Sequence, residues 1–308
     1  MEIATILVMG GPGARKVLLA LWGIYLGARA LQALPTRVPA LLIVVLHVVP
    51  PALFALIHGW RRYGPRGILA FAALSLAIGS AMEILSLRTG FPFGHYFFTG
   101  VMGPKILGLP LLLALAYVGV GYVSWVVAET LVGTSGPLAA RLLITPALAS
   151  CVMTAWDLAM DPVWANIDRA WVWRDGGAWF GVPLSNYFGW LLTTWMIYQA
   201  FAMLLAWRGR SSAQPRWDRL AILMYATVAV GNAFLALPSA LPAGAPRFIA
   251  DAAGRSWMTR DLIGVSLLLS FCVMAPFALA AWARTVQDAA GNARRTAPLP
   301  ADSRPVSA

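Results

Sequence analysis

Seven or eight long apolar stretches divide this chain, and they limit it to one kind of fold. They lie near residues 15–33, 38–60, 67–87, 105–130, 138–160, 184–207, 217–241 and 260–284. Each can cross a hydrocarbon core of roughly 30 Å as a helix, because that takes about 20 residues. Only 11% of the residues are charged, which excludes a globular domain with a charged surface. We therefore predict an all-α, polytopic integral membrane bundle of seven or eight transmembrane helices.

The basic residues indicate how this bundle is oriented. The 23 Lys and Arg residues are scattered between the apolar stretches rather than gathered on one face, which argues against nucleic acid as a partner. The clearest clusters are Arg61, Arg62 and Arg66, and then Arg208, Arg210, Arg216 and Arg219. By the positive-inside rule we expect both termini in the cytoplasm and the protein in the inner, or plasma, membrane. Residues 1–286 are expected to form a single transmembrane domain, and residues 287–308 a disordered cytoplasmic tail.

A few ionisable residues fall at membrane depth, where each is costly and therefore indicates a function or a partner. Glu83 lies near the end of the third stretch, and Asp157 and Asp161 near the end of the fifth. Because the two aspartates are four residues apart, they share one face of a helix. The remaining members of this group are Arg29, His47, His58 and Glu129.

Two stretches rich in glycine and aromatic residues follow these acids, at residues 83–100 and 156–190. The motif Gly-x-Pro-Leu follows the first stretch at Gly108 and lies near the end of the second at Gly181. This motif predicts a helix start. The similar order and length of the two segments indicate a weak internal repeat, although Gly-x-Pro-Leu also arises by chance. With eight helices, both stretches lie on the non-cytoplasmic side, and the three acids lie at similar depth.

The residue types favour acid–base chemistry on a lipophilic molecule. A buried carboxyl group that keeps its proton can act as a general acid. Tryptophans crowd the second stretch, either as an interfacial belt or as the lining of a groove for a flat polyene. With three histidines and no H-E-x-x-H or C-x-x-C motif, the chain is expected to bind no metal and no redox cofactor. The alternative is that the acids have only a structural role and hold loops in place by pairing with nearby bases: Arg88, His95, Lys105, Arg169 and Arg174.

The two stretches resemble a known family. The pattern E-x-x-x-x-x-T-G-F-P-F-G-H-Y from Glu83, then G-L-P-L, D-x-x-x-D-P, W-x-W and F-G-V-P-L-S-N-Y-F-G-W, is similar to that of the carotenoid biosynthesis membrane proteins. That family contains the carotenoid 1',2'-hydratases, with gamma-carotene hydratase and bisanhydrobacterioruberin hydratase as named activities. The resemblance extends from about Phe71 to Trp207.

The resemblance implies cofactor-free addition of water across the terminal 1,2 double bond of an acyclic carotenoid end group. Protonation at C2 leaves a tertiary cation at C1, so the reaction needs an acid, a π-rich surface and one positioned water. Asp157 or Glu83 is the expected proton donor, and Asp161 activates water or holds the donor's partner. The catalytic candidates are Glu83, Asp157, Asp161 and His95, and the substrate-binding candidates are Phe93, Tyr96, Trp156, Trp164, Asn186, Tyr187 and Trp190. Expected partners are a carotenoid, water, membrane lipids and other enzymes of the carotenoid pathway.

Two other functions are consistent with the same residues. Asp157-x-x-x-Asp161 resembles half of a diphosphate and magnesium site, as in a membrane prenyltransferase or cyclase acting on isoprenoids. Repeated half-units with interrupted helices also suit a lipid or carotenoid transporter, or a scaffold.

Overall fold

The chain is mostly helical. The computed structural model describes residues 12–34, 37–134, 137–209, 214–241 and 244–296. Its helices are α1 (Pro12–Leu31), α2 (Ala40–Thr89), α3 (Leu111–Val132), α4 (Thr145–Asn166), α5 (Leu184–Trp207), α6 (Pro215–Val230), α7 (Thr259–Leu269) and α8 (Ala275–Thr296). Helix α8 continues past residue 286 into the segment predicted as tail, and residues 297–308 of that segment lie outside the described residues.

Six helices of the described chain are long and apolar enough to cross a membrane, as expected for an integral membrane protein. They are Ala40–Thr89, Leu111–Val132, Ala140–Asn166, Leu184–Trp207, Trp217–Ala236 and Thr259–Gly291. The predicted total of seven or eight transmembrane helices stays a prediction.

Helix α2 is too long for a single crossing. Its 50 residues would extend roughly 75 Å at 1.5 Å per residue, more than twice the thickness of a hydrocarbon core. Gly64 interrupts it with non-helical angles, φ 72° and ψ 170°, and Pro65 follows. Proline removes a backbone hydrogen bond and glycine tolerates a positive φ, so the chain changes direction there.

Helix α3 lies at the centre of the bundle, where it packs against α2. Tyr122, Val123, Val126 and Val127 are fully buried, as expected of a helix that is hydrophobic all round. Gly119 permits a close approach of the two helices, because a Cβ atom there would lie 2.8 Å from the backbone nitrogen of Ala52. Small residues commonly allow such contacts between membrane helices.

Short strands connect the two motif-rich stretches. Strand β1 (Tyr96–Phe98) pairs antiparallel with β4 (Trp171–Trp173), so that Tyr96 faces Trp173 and Phe98 faces Trp171. Strands β2 (Lys105–Ile106) and β3 (Leu109–Pro110) form a hairpin before α3, and β5 (Phe248–Ala250) and β6 (Ser256–Met258) form another before α7. The β1–β4 ribbon therefore joins segments that are far apart in sequence.

The starts of α3 and α5 have the same local geometry, in agreement with the parallel Gly-x-Pro-Leu motifs. Gly108 and Gly181 have φ of 86° and 84°, a left-handed conformation that glycine adopts without strain. Tyr117 and Trp190 each follow the proline of their motif by seven residues, and their rings stack with centroids 4.9 Å apart. The internal repeat itself stays a prediction.

A buried charged cluster ties the helices together near the α2 interruption. Arg62 bonds to Asp218, and its Nη2 donates to Glu129 over 2.9 Å. The Tyr63 hydroxyl donates to the same Glu129 carboxylate over 2.5 Å. These carboxylates thus have a cationic partner and a structural role.

We predict that the close α2–α3 contact limits the stability of the bundle. Gly119→Ala should lower the free energy of unfolding by about 1–3 kcal/mol, because the new methyl group overlaps the α2 backbone. The measurement is thermal unfolding in detergent. Gly23→Ala, on α1 with no atom within 4 Å of the added Cβ, is the matched control. It should be neutral or stabilising by up to about 1 kcal/mol, and equal loss in both variants would contradict the prediction.

Candidate active site

A pocket of about 310 Å³ lies beneath the β1–β4 ribbon. It is bounded by the last turns of the long helix α2, the middle of α4 and the first turns of α3 and α5. Its walls are Glu83, Phe93, Tyr96, Phe98, Leu113, Asp157, Met160, Asp161, Trp171, Trp173, Asn186 and Trp190. The lining combines many apolar residues with a few polar groups, as is usual in binding sites.

The period-2 alternation of the ribbon supplies the aromatic cover. Tyr96, Phe98, Trp171 and Trp173 are buried, whereas Phe97 between the first two is exposed. Alternate side chains of a strand point to opposite faces, so one face of the ribbon presents four rings to the pocket. The rings of Tyr96 and Trp173 lie 4.7 Å apart.

Asp161 is held by three neutral donors. The indole of Trp171 donates to its Oδ1 over 2.6 Å, and the indole of Trp173 donates to the same oxygen over 3.3 Å. The Asn186 amide donates to Oδ2 over 2.8 Å. Both oxygens act as acceptors, which is the arrangement that suits an ionised carboxylate.

Asp157 lies one turn before Asp161 on the same face of α4. The Asn186 amide donates to its Oδ2 over 2.7 Å, so one side chain links the two aspartates. Among the described residues, Oδ1 of Asp157 accepts no hydrogen bond. Asp157 therefore has an oxygen that remains available to a proton or to a ligand in the pocket.

Glu83, on α2, accepts hydrogen bonds from two tyrosines. The Tyr117 hydroxyl donates to its Oε1 over 2.8 Å, and the Tyr96 hydroxyl donates to its Oε2. Burial raises the pKa of the Tyr96 phenol well above its ordinary value, and the neighbouring Glu83 acts in the same direction. Tyr96 thus remains a hydrogen-bond donor at physiological pH.

No cation faces these acids within the described ranges. Glu83, Asp157 and Asp161 are 4%, 2% and 1% exposed, yet none forms a salt bridge in that part of the chain. Four of the five bases that were candidates to pair with the acids have other contacts: His95, Lys105, Arg169 and Arg174. Lys105 donates to the Phe98 carbonyl, and Arg169 donates to the Ala250 carbonyl. Since burying an unpaired charge is costly, three ionised carboxylates in one pocket are strongly disfavoured.

The structure brings most of the candidate residues together. Seven line the pocket: Glu83, Phe93, Tyr96, Asp157, Asp161, Asn186 and Trp190. Trp156 packs edge-on against Trp190 at 5.8 Å, and Trp164 stacks on Trp171 at 6.2 Å, so both lie just behind the lining. The buried Tyr187 hydroxyl has no hydrogen-bond partner among the described residues.

His95 lies apart from the other candidates. Its side chain is 60% exposed, its Nδ1 lies 3.0 Å from Asp175, and it does not line the pocket. The alternation of β1 explains the difference, because Tyr96 faces inward and its neighbour His95 precedes the paired residues of the strand.

Several residues of the site were absent from the candidates. Trp171 and Trp173 belong to the W-x-W motif, whose two-residue spacing is a signal for one face of a strand. Tyr117 could have been found from its offset after Gly-x-Pro-Leu, which equals that of Trp190. Phe98, Leu113 and Met160 are apolar residues among many and carry no signal of their own. No group of three or more His, Cys, Asp or Glu side chains in the described residues is placed to hold a metal ion.

Comparison with known proteins assigns the family. Residues 39–250 match the family model described as carotenoid biosynthesis protein, and this range includes every residue of the pocket. The chain belongs to this family.

A characterised relative agrees with this assignment. Bisanhydrobacterioruberin hydratase of Haloarcula japonica is 32% identical over 135 residues. The match spans 43% of this chain and 42% of that protein, so less than half of the relative's length is covered. No solved structure matches the chain.

We predict that Asn186 couples to Asp157. In a double-mutant cycle of Asn186→Ala with Asp157→Ala, unfolding free energies in detergent should deviate from additivity by about 0.5–3 kcal/mol, because the two side chains share a hydrogen bond. The control cycle pairs Asn186→Ala with Glu129→Gln in the Arg62 cluster, and should be additive within about 0.5 kcal/mol. Additivity in both cycles would show that the contact does not contribute.

Proposed function

We propose that this protein is a carotenoid hydratase, which adds water to the terminal 1,2 double bond of an acyclic end group. The observation that carries the proposal is the set of three buried carboxyl groups, held by neutral donors, in an aromatic pocket that lies within the carotenoid biosynthesis region of the chain. The hydratase name of the Haloarcula japonica relative supports the same reaction.

Asp157 is the proton donor in this proposal. Asn186 donates to Oδ2 of Asp157, which leaves Oδ1 to carry the proton and to face the substrate. Both oxygens of Asp161 and both oxygens of Glu83 accept hydrogen bonds instead. Transfer of the proton to C2 of the alkene breaks the O–H bond, uses the π electrons to form the C–H bond, and leaves a tertiary cation at C1.

The rest of the pocket then stabilises the cation. Asp161 supplies a negative charge one helical turn from Asp157, and the faces of electron-rich rings attract a cation. The nearest such rings are those of Trp171, Trp173 and Trp190. Because these groups are already ordered by their hydrogen bonds and stacking, they need not reorganise when the charge develops.

Water attacks C1 from the side of Glu83. Glu83 and its two tyrosine donors provide acceptors and donors that can orient one water molecule. The water oxygen forms the C–O bond, and its released proton returns to a carboxylate, which restores the initial protonation count. The product is a tertiary alcohol, and the reaction consumes only the alkene and water.

The position in the cell is part of the same proposal. The protein lies in the inner, or plasma, membrane with both termini in the cytoplasm, and the pocket opens toward the non-cytoplasmic half of the bilayer. A carotenoid then enters sideways from the lipid, and other enzymes of the pathway act on the same molecule in that bilayer.

We predict that the carboxyl groups of the pocket are required for hydration. The protein is expressed in a bacterium that accumulates lycopene, and pigments are analysed by chromatography and mass spectrometry in heavy-oxygen water. The wild type should yield a product heavier by one labelled water. Asp157→Asn should reduce its rate by about 10²–10⁴-fold, because the proton donor is lost. Glu83→Gln should also reduce it.

Glu129→Gln is the matched control for this experiment. It removes a carboxylate that lies outside the pocket and is paired with Arg62, so a folded variant should retain hydration. Unchanged pigments from a well-folded wild type given several acyclic carotenoids would overturn the proposal. The prenyltransferase or cyclase alternative predicts a magnesium requirement, so activity that a chelator abolishes would favour that alternative. Transport without any chemical change would favour the carrier.

A further inference from the structure

A second cavity lies beside the proposed catalytic pocket. Among the described residues it has a volume of about 700 Å³, more than twice that of the pocket. It lies between the first turns of α2, the end of α4 and the start of α7, and most of its lining is apolar. Val44, Val101, Val163, Trp164, Leu235 and Ile263 contribute to its walls.

The pocket and the cavity lie one after the other along a single face of α4. Asp157, Asp161 and Trp164 are spaced i, i+4 and i+7, and residues at this spacing share a helix face. The first two line the pocket and the third lines the cavity. At 1.5 Å per residue, the distance along the axis from Asp157 to Trp164 is roughly 10 Å.

The two spaces meet at a pair of stacked tryptophans. Trp171 lines the pocket and Trp164 lines the cavity, and their rings stack at 6.2 Å with an angle of 16°. Phe98 likewise lines the pocket, and Val101, three residues further along the chain, lines the cavity. Flat aromatic surfaces thus continue from one space to the next.

The sizes of the two spaces indicate what the cavity holds. With about 310 Å³ of empty space in all, the pocket is too small for the long conjugated chain of a carotenoid. We propose that the cavity binds the polyene segment that extends from the end group, with the chain lying against the Trp164–Trp171 stack. This inference rests on the proposed hydratase function and adds a site that selects long, flat isoprenoids over short ones.

The test compares two substrates that share the same acyclic end. Lycopene has the polyene, whereas geranylacetone is a short isoprenoid that lacks it. Val44→Phe places a larger side chain in the cavity and leaves the pocket lining untouched. Its KM for lycopene should rise about tenfold, which is about 1.4 kcal/mol, because the larger side chain occupies the space proposed for the polyene. Its kcat/KM for geranylacetone should remain that of the wild type.

Two further variants keep the test decisive. Ala40→Phe fills the cavity from its exposed rim, so it provides a second filled cavity if Val44→Phe fails to fold. Ala206→Phe fills a separate cavity of about 370 Å³ beside Trp125, and should change neither substrate's kinetics.

Each other outcome has a defined meaning. An equal loss with both substrates, or no loss with lycopene in a folded variant, would overturn the polyene site while the hydratase function stands. A wild type that hydrates neither substrate would overturn the proposed function, and this inference with it. A cavity that holds a membrane lipid instead would give filled variants with unchanged kinetics on both substrates and altered lipid retention in mass spectrometry.

Discussion

The site depends on solvating buried carboxyl groups with neutral donors. Two indoles and an amide hold Asp161, two phenols hold Glu83, and the same amide holds Asp157. A cation at these positions would neutralise the acids and keep them as simple ion pairs. Neutral donors form hydrogen bonds with the carboxyl oxygens without neutralising a charge. They therefore leave the acids available for proton transfer.

The acids near the α2 interruption show the contrast. Glu129 and Asp218 both contact the buried guanidinium of Arg62, and the Tyr63 hydroxyl adds a further hydrogen bond. That cluster joins α2, α3 and α6 at the α2 interruption. The same residue type thus has a structural role where arginine is its partner, and is proposed to be catalytic where tryptophan, tyrosine and asparagine are its partners.

The β1–β4 ribbon makes the pocket possible. Backbone groups at membrane depth must be satisfied within the protein, and pairing the two loops with each other achieves this. The pairing also places Tyr96 opposite Trp173 and Phe98 opposite Trp171, so that one face of the ribbon is entirely aromatic. Residues that follow different helices in sequence thereby come to share one wall with Glu83 and Asp161.

Much of this protein could be predicted from local patterns. Runs of apolar residues predicted membrane helices because the bilayer thickness sets the length of a helix. Ionisable groups are energetically costly at membrane depth, which made Glu83, Asp157 and Asp161 candidates for the site. All three line one pocket. The spacing of Asp157 and Asp161 predicted their common face because the helical period is local.

The sequence by itself therefore determined the helical membrane fold, the three acids and the motifs that identify the family. Only the tertiary structure decided which donors hold each acid, that Tyr117, Trp171 and Trp173 belong to the site, and that His95 lies exposed beside Asp175. The physical reason is that strand register and helix contacts are long-range. The pairing of Tyr96 with Trp173 joins residues far apart in the chain, and no local period specifies which side chains meet across such a contact.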